Sequence, residues 1–294
     1  MLERYQMWVV WMLAIVFSVS SSVYITSKPQ ISIIRPIANN NGSAGQTTAQ
    51  AAIVAEHPVQ VVTPLVNAIP GKLSDGVPIL MYHSISETEV DNKLCVSPTD
   101  LEQQLDYLVR EGYHTLTVKD LLAAANGKAM LPPKPLILTF DDGYRNNYTV
   151  AYPLLKARGM VATIFVITEK IGTPNGISPS ELREMVNNGM EIGSHTRHHF
   201  DLRTLEPVEL ADEIAGSRRI LADVLRSPVE TFCYPSGKYS PLALEQVKTS
   251  GYLGAVTTEP GVMSDQDKRW LMPRIRVSGG ESLEQYIASL PRSI

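Results

Sequence analysis

The chain has 294 residues, of which 44% are hydrophobic and 19% are charged. This composition supplies enough apolar side chains for a full hydrophobic core and excludes an intrinsically disordered chain. The formal net charge of −4 argues against a nucleic-acid partner, because phosphate binding needs a basic surface.

The first distinct element is an apolar segment near the amino terminus. Residues 7–25 read MWVVWMLAIVFSVSSSVYI, which is apolar apart from four serines. A helix of this length rises roughly 28 Å, close to the hydrocarbon thickness of a bilayer. The pattern predicts a signal anchor or a cleaved signal peptide over residues 1–26. In either case we expect the rest of the chain to be extracytoplasmic, either membrane-anchored or secreted.

A low-complexity stretch follows. Residues 27–76 are rich in Asn, Gly, Ser, Thr, Ala, Gln and Pro and show no sustained hydrophobic periodicity. Such a composition buries too little apolar surface to offset the entropy of ordering, so it predicts a flexible extracytoplasmic spacer. From residue 77 to residue 294 short apolar runs alternate with helical patterns, which predicts one folded domain.

Seven short apolar runs in this domain are predicted strands. Their nearly continuous apolar character is typical of strands that are covered on both faces. They are Pro78–Tyr82, Leu136–Phe140, Ala162–Ile167, Met190–Ser194, Thr231–Tyr234, Leu253–Thr257 and Arg274–Val277. Alternation of such strands with helices predicts an α/β fold, either a doubly wound sheet or a parallel barrel.

Several of the helices between these strands begin with recognisable capping patterns. Residues 99–102 (Thr-Asp-Leu-Glu) have the form of a capping box, which predicts a helix start at Thr99. Ser178 and Ser240 each precede a proline, and this combination of a cap and a first-turn proline predicts two further helix starts.

Polar side chains follow the predicted strands directly. Asp141 and Asp142 come after one strand, His195 after another, and His83 and residues 235–237 after two more. In a parallel barrel the carboxyl ends of the strands converge on one rim, where active sites are built. This distribution favours a barrel, complete or incomplete, over the doubly wound sheet.

The aspartates and histidines at this rim are candidate metal ligands. Asp-Gly also favours a tight turn, but a carboxylate pair directly after an apolar strand is costly unless something binds it. His195 and His199 are four residues apart, so one helical turn would bring them to a common face, with His198 as a competitor. One carboxylate and two imidazoles with open positions suit catalytic zinc, and also iron, cobalt or nickel.

Two motifs make a family resemblance explicit. Thr-Phe-Asp-Asp-Gly-Tyr at residues 139–144 and His-Thr-x-x-His at residues 195–199 resemble the NodB homology domain of the polysaccharide deacetylases, carbohydrate esterase family 4. The resemblance covers roughly residues 78–294 and implies a distorted (β/α)7-type barrel. It also implies that Asp141 is the general base and that a divalent metal is held by the residues Asp142, His195 and His199.

A third segment resembles the stretch of the family's sequence whose backbone N–H stabilises the oxyanion of the reaction. It consists of Tyr234, Pro235, Ser236 and Gly237. Ser236 stands where the family usually has an aromatic residue, and no arginine lies just upstream. The alternative is an ordinary exit from a strand into a turn.

The resemblance also implies a proton donor for the amine that leaves in deacetylation. In this chain we expect that donor at a position other than the family's usual one. The family's C-terminal Leu-x-His motif is absent, because no histidine follows His199. The Met-Tyr-His segment that ends at His83 resembles the branch acting on poly-N-acetylglucosamine, and the resemblance implies that His83 is the acid. The alternative is a structural histidine.

The roles of four further side chains are left open by the sequence. Arg274 and Arg276 alternate on the last predicted strand, and either could tether Asp141 and keep it ionised, although a surface ion pair is an equal alternative. Whether Cys95 and Cys233 form a disulfide is undecided, and two independent, partly buried thiols are the preferred interpretation.

The expected function is metal-dependent removal of N-acetyl groups from N-acetylglucosamine units of an extracellular or cell-wall polysaccharide, with zinc as the first choice of metal. The alternatives are an O-acetyl esterase acting on an acetylated glycan and a non-catalytic carbohydrate-binding module. The sequence leaves open the oligomeric state and whether the polymer is peptidoglycan, chitin or poly-N-acetylglucosamine.

Overall fold

The computed structural model describes residues 71–88 and 92–291. The predicted apolar segment 7–25 and residues 27–70 of the predicted spacer lie outside the described residues. Within the described ranges no helix is long and apolar enough to span a bilayer. Residues 71–76, which the sequence assigns to the spacer, contact the following domain, since the Gly71 N–H donates to the Pro132 carbonyl over 3.1 Å.

Most strands of the described residues belong to one parallel sheet. The strands are β1 (Ile79–Tyr82), β2 (Ser84–Ile85), β3 (Cys95–Val96), β4 (His114–Leu116), β5 (Pro135–Phe140), β6 (Thr163–Val166), β7 (Glu191–Ser194), β8 (Thr231–Cys233), β9 (Gly254–Pro260) and β10 (Met272–Arg276). Their order is β1-β10-β9-β8-β7-β6-β5-β4, and β1 pairs also with β5. Strands β2 and β3 pair separately.

The extra pairing of β1 closes the sheet into a barrel. Leu80 of β1 is in register with Ile275 of β10 on one side and with Leu138 of β5 on the other. The closed ring therefore contains β1, β5, β6, β7, β8, β9 and β10, and β4 is an extra strand beside the start of β5. All seven predicted strands are in this ring, which confirms the barrel and excludes the open doubly wound sheet.

Helices cover the outside of the ring. They are α1 (Pro98–Arg110), α2 (Val118–Ala125), α3 (Tyr152–Ala157), α4 (Pro179–Asn187), α5 (Pro207–Ala211), α6 (Ser217–Leu225), α7 (Pro241–Thr249) and α8 (Leu283–Ser289). The predicted caps of α4 and α7 are confirmed, because the Ser178 and Ser240 hydroxyls accept from peptide N–H groups three residues on.

The predicted start of α1 at Thr99 is wrong by two residues. Ser97 is the cap, and its hydroxyl accepts from the Asp100 N–H over 3.0 Å. Ser97 precedes Pro98, so α1 begins with the same Ser-Pro pattern as α4 and α7. The proline has a φ that suits the first turn, and this places the cap before it rather than after it.

Alternation along the strands separates the interior of the barrel from its outer layer. Ile137 packs in a cluster that also contains Phe165 and Met272, whereas its neighbours Leu136 and Leu138 belong to the cluster under the helices. Because side chains on one face of a strand recur every second residue, Thr139 and Asp141 continue the interior row of β5. The interior thus changes from apolar to polar at the carboxyl end of the strands, where the candidate site lies.

The corrected cap of α1 can be tested by stability measurements. Ser97→Ala should lower the free energy of unfolding by about 1 kcal/mol, because one first-turn N–H loses its partner. Thr99→Ala is the matched control and should change it much less. Urea unfolding of the variants measures both values. A larger loss for Thr99→Ala than for Ser97→Ala would contradict the assignment.

Candidate active site

The two neighbouring carboxylates differ in backbone conformation and partners. Asp141 directly follows β5 and is buried, with 2% of its surface exposed. Asp142 has a φ of 73°, in the left-handed region that few residues other than glycine adopt. The chain therefore turns sharply between them, and the two side chains enter different sets of contacts. This separation allows two adjacent aspartates to have different roles.

Asp141 is held by a buried arginine. Arg274 on β10 donates from Nη1 to Oδ1 over 2.8 Å and from Nη2 to Oδ2 over 2.7 Å. The same guanidinium donates to the Thr139 hydroxyl and to the Thr257 carbonyl. Arg276 is exposed. Arg274, rather than Arg276, therefore tethers Asp141, and the contact joins β10 to the end of β5 inside the barrel.

This pairing controls the ionisation of Asp141. Burial by itself would raise the pKa of the carboxyl group. The charge of Arg274 and its two hydrogen bonds outweigh burial and hold the pKa of Asp141 well below its usual range. Asp141 is therefore a carboxylate at every pH near neutrality.

The imidazole of His195 is oriented by a backbone carbonyl. Its Nδ1 lies 2.8 Å from the Cys233 oxygen, and since a carbonyl only accepts, Nδ1 carries the proton. The lone pair of Nε2 is then free, and this atom lies 3.6 Å from Oδ1 of Asp142. Burial lowers the pKa of His195, which favours the neutral imidazole that a metal needs.

His199 completes a cluster of three donors. Its Nε2 lies 3.8 Å from the same Asp142 oxygen, and the ligand atoms of Asp142, His195 and His199 all lie within 4.8 Å of one another. One carboxylate oxygen and two imidazole nitrogens at this spacing fit a divalent cation. The chemistry and the tautomer of the donors therefore match the metal site that the resemblance implies.

The two histidines converge through a loop, not through the helical turn that their spacing suggested. Thr196 and His199 have φ values of 67° and 65°, and the His199 N–H donates to the Thr196 hydroxyl over 2.9 Å. Buried Glu213 accepts from the peptide N–H groups of residues 197 and 198 and pairs with the His198 imidazole at 2.5 Å. His198 is therefore engaged by Glu213 and lies outside the ligand cluster.

A second group of possible ligands shares His195. Asp141, His195 and Cys233 also lie within 4.8 Å of one another. Asp141, however, is occupied by both hydrogen bonds of Arg274, and burial raises the pKa of the Cys233 thiol well above its usual value. A protonated thiol beside a guanidinium is a poor ligand. The cluster around Asp142 is the better metal site. Cys95 and Cys233 are both free and buried.

His83 lies at the same rim, close to the tethered carboxylate. Its Nε2 is 3.9 Å from Oδ2 of Asp141, and Asn147 donates to its backbone carbonyl over 2.7 Å. Within the described part of the chain, Nδ1 of His83 is buried without a hydrogen-bond partner. Burial lowers the pKa of His83, so the imidazole is neutral at neutral pH.

The segment after β8 forms a tight exposed turn. Ser236 is exposed with a φ of 52°, and its carbonyl accepts from the Thr258 hydroxyl. A Cβ at Gly237 would lie 2.1 Å from Oγ1 of Thr258, so only glycine fits there. Tyr234 and Pro235 are buried, and burial raises the pKa of the Tyr234 phenol. Ser236 is thus the most exposed residue of this segment.

Some residues of the site lacked a visible sequence signal. Glu213 lies in a helical segment 14 residues beyond His199, and nothing local links it to the histidines. Thr139 and Cys233 do have a sequence signal. Each lies on a predicted strand, and the alternation along that strand directs its side chain into the barrel. Only the closed barrel shows that both contact Arg274.

Removal of Arg274 should destabilise the fold. Arg274→Met leaves the Asp141 carboxylate buried and unpaired, so the free energy of unfolding should fall by about 3–5 kcal/mol. Exposed Arg276→Met is the matched control and should change it little. The double variant Arg274→Met with Asp141→Asn should lose less than the sum of the single variants. Urea unfolding of the wild type, the three single variants and the double variant measures these values.

The coupling between the two residues should depend on pH. A carboxyl whose folded pKa is depressed stabilises the protein above its unfolded pKa of about 4 and loses that contribution as pH falls further. The coupling energy should therefore be full at pH 7 and shrink below about pH 4. Equal losses for Arg274→Met and Arg276→Met at pH 7 would contradict the assignment.

Comparison with known proteins places this site in a family. The family model described as polysaccharide deacetylase matches residues 128–255. The YxkH protein of Bacillus subtilis (strain 168), which bears the same family name, is 38% identical over 213 residues, or 72% of this chain and 74% of that protein. The Streptococcus pyogenes deacetylase PplD, solved in complex with acetate, is 32% identical with a TM-score of 0.69, over 76% of this chain and 100% of that one.

A further relative has a named substrate. The poly-beta-1,6-N-acetyl-D-glucosamine N-deacetylase of Escherichia coli (strain K12) is 24% identical over 256 residues. The match covers 72% of this chain but spans only 38% of the length of that protein. Together with the barrel and the Asp-Asp and His-Thr-x-x-His motifs, these similarities show that the chain belongs to the polysaccharide deacetylase family and is related to the poly-N-acetylglucosamine deacetylases.

Proposed function

We propose that this chain is a metal-dependent hydrolase that removes N-acetyl groups from N-acetylglucosamine units of an extracytoplasmic polysaccharide. The observation that carries the proposal is the pairing of a three-donor cluster around Asp142 with a neighbouring carboxylate, Asp141, that Arg274 keeps ionised. The relationship to a poly-N-acetylglucosamine deacetylase supports the class of polymer.

The donor cluster is assigned to a divalent metal, with zinc preferred and cobalt, nickel or iron also compatible with the ligands. Asp142, His195 and His199 would hold it. When bound, such a cation supplies Lewis acidity toward the acetyl carbonyl and lowers the pKa of water. The Cys233 carbonyl contributes by holding His195 in the tautomer that leaves Nε2 free.

Asp141 is assigned as the general base. Its carboxylate is ionised near neutral pH and can accept the proton of the attacking water at Oδ2. Because Arg274 depresses the pKa, Asp141 holds a proton weakly and releases it readily. Neutral His83, with Nε2 3.9 Å from Oδ2, is placed to take up a proton and to donate it to the departing amine.

The negative charge that develops on the acetyl oxygen needs a donor from the protein. We assign this role to the peptide N–H of Ser236, which lies in the exposed turn after β8. A backbone donor held in a rigid turn is oriented before the reaction and needs no rearrangement. Gly237 permits the turn, because a larger residue would collide with Thr258.

An extracytoplasmic location is part of the proposal. Its support is the apolar segment 7–25, which is long enough to enter a bilayer, followed by the low-complexity stretch up to residue 76. Whether the segment is retained as an anchor or removed, a polysaccharide outside the membrane is then the accessible substrate.

Acetate release tests the function. The full-length protein should release acetate from poly-N-acetylglucosamine, chitin or peptidoglycan, lose this activity on chelation and regain it with zinc. Asp141→Asn should abolish turnover, and His83→Ala should lower it about 10²–10⁴-fold. Acetate from acetylated xylan alone, with little effect of His83→Ala, would favour an O-acetyl esterase. Glycan binding without any turnover would indicate a binding module.

Metal content tests the ligand assignment independently of turnover. The wild-type protein should bind one divalent ion, and Asp142→Asn, His195→Ala or His199→Ala should each weaken its binding strongly. His198→Ala is the matched control and should keep the metal, because its imidazole pairs with Glu213 instead. Elemental analysis after dialysis measures the stoichiometry. Loss of metal in His198→Ala with retention in His199→Ala would overturn the assignment.

A further inference from the structure

An exposed aromatic residue follows the last residue of the donor cluster in the chain. Phe200 follows His199 in the chain, and 51% of its surface is exposed. Its ring lies parallel to the imidazole of His198, with the centroids 5.1 Å apart and the planes inclined by 14°. One face of the phenyl ring is thus backed by a second ring, and the side chain as a whole is half accessible from outside.

The backing ring is itself firmly held. The imidazole of His198 pairs through Nδ1 with the Glu213 carboxylate, which has 3% of its surface exposed. Glu213 also accepts the His198 peptide N–H, so both the backbone and the side chain of His198 are fixed by the same carboxylate. Phe200 therefore stacks on a rigid support.

The residue after Phe200 has two ion-pair partners. The Asp201 carboxylate bonds to Arg203 at 2.7 Å and to Lys238 at 3.4 Å. Lys238 follows Gly237, so this ion pair joins the loop of Phe200 to the loop of Ser236. Phe200 therefore lies in the chain between a residue of the donor cluster and a residue that is paired with the loop of Ser236.

Single exposed apolar residues are common on proteins and need no special explanation. Phe200 differs because the residue before it is a candidate metal ligand, and because the imidazole on which it stacks is paired with buried Glu213. A pyranose ring has an apolar face of C–H groups and a rim of hydroxyls, which matches an aromatic face bordered by charged side chains. Asp201, Arg203 and Lys238 supply charged side chains on the loops that follow Phe200 and Gly237.

We propose that Phe200, backed by His198, is a sugar-stacking platform for the pyranose unit next to the one that is deacetylated. The inference rests on the proposed function for the identity of the polymer. Stacking holds the neighbouring unit beside His199, and this positions the acetylated unit over the donor cluster. Phe200 is thus a binding residue and takes no part in proton transfer.

Binding of a saccharide that cannot be turned over tests the platform. The probe is the fully de-N-acetylated pentamer of β-1,6-linked glucosamine, titrated calorimetrically into the full-length, metal-loaded protein. Phe200→Ala and Phe200→Leu should weaken binding about tenfold, and Phe200→Tyr should bind like the wild type, since it keeps the ring. Leu253→Ala is the control.

Leu253 is a suitable control because it is exposed to a similar degree, 46%, but precedes β9 at the opposite end of the barrel. Its substitution should leave the dissociation constant unchanged. Equal affinity of wild type and Phe200→Ala, or no binding by the wild type, would overturn the platform. Equal weakening by Phe200→Ala and Leu253→Ala would also overturn it, because the effect would not be local.

The same variants separate the platform from the proposed function. In acetate release from the acetylated pentamer, Phe200→Ala should raise KM more than it lowers kcat, because stacking contributes to binding. If the wild type releases no acetate while Phe200 still governs pentamer binding, the proposed function fails and the platform stands. If acetate is released and Phe200→Ala changes neither KM nor pentamer affinity, the platform alone fails.

Discussion

The buried ion pair between Asp141 and Arg274 is the interaction on which the rest of the site depends. A carboxylate with so little exposure is stable only with a partner that compensates its charge, and the bidentate guanidinium supplies that partner. Arg274 lies on the last strand of the ring and Asp141 follows the second. They meet because β1 pairs with both β5 and β10 and so closes the barrel.

Closure of the barrel therefore brings together both the apolar core and the residues of the candidate site. The interior is apolar in its lower layers, where Ile137, Phe165 and Met272 pack together. Toward the carboxyl ends it becomes polar, with Thr139 and the tethered carboxylate. An apolar interior beneath the pair excludes water and strengthens its electrostatic interaction. The same pair keeps the proposed base ionised, so structural stability and the proposed catalysis rest on one contact.

Backbone strain is concentrated at the site. Asp142, Thr196, His199 and Ser236 all have positive φ values, although none is glycine. Such conformations cost of order 1–3 kcal/mol each and persist only where surrounding contacts enforce them. Glu213 is one of these contacts, since it holds the peptide groups between the two candidate histidine ligands. These backbone conformations allow neighbouring side chains to enter different sets of contacts.

The sequence by itself determined the seven strands of the ring, the rim that carries the site, and the candidate ligands, because apolar runs and polar strand ends are local patterns. It misplaced the cap of α1, and it suggested a helical turn between His195 and His199, since spacing does not reveal backbone strain. Only the tertiary structure decided that Arg274 rather than Arg276 tethers Asp141, and that Glu213 fixes the loop. These contacts join residues far apart in the chain, and they exist only once β1 has closed the barrel.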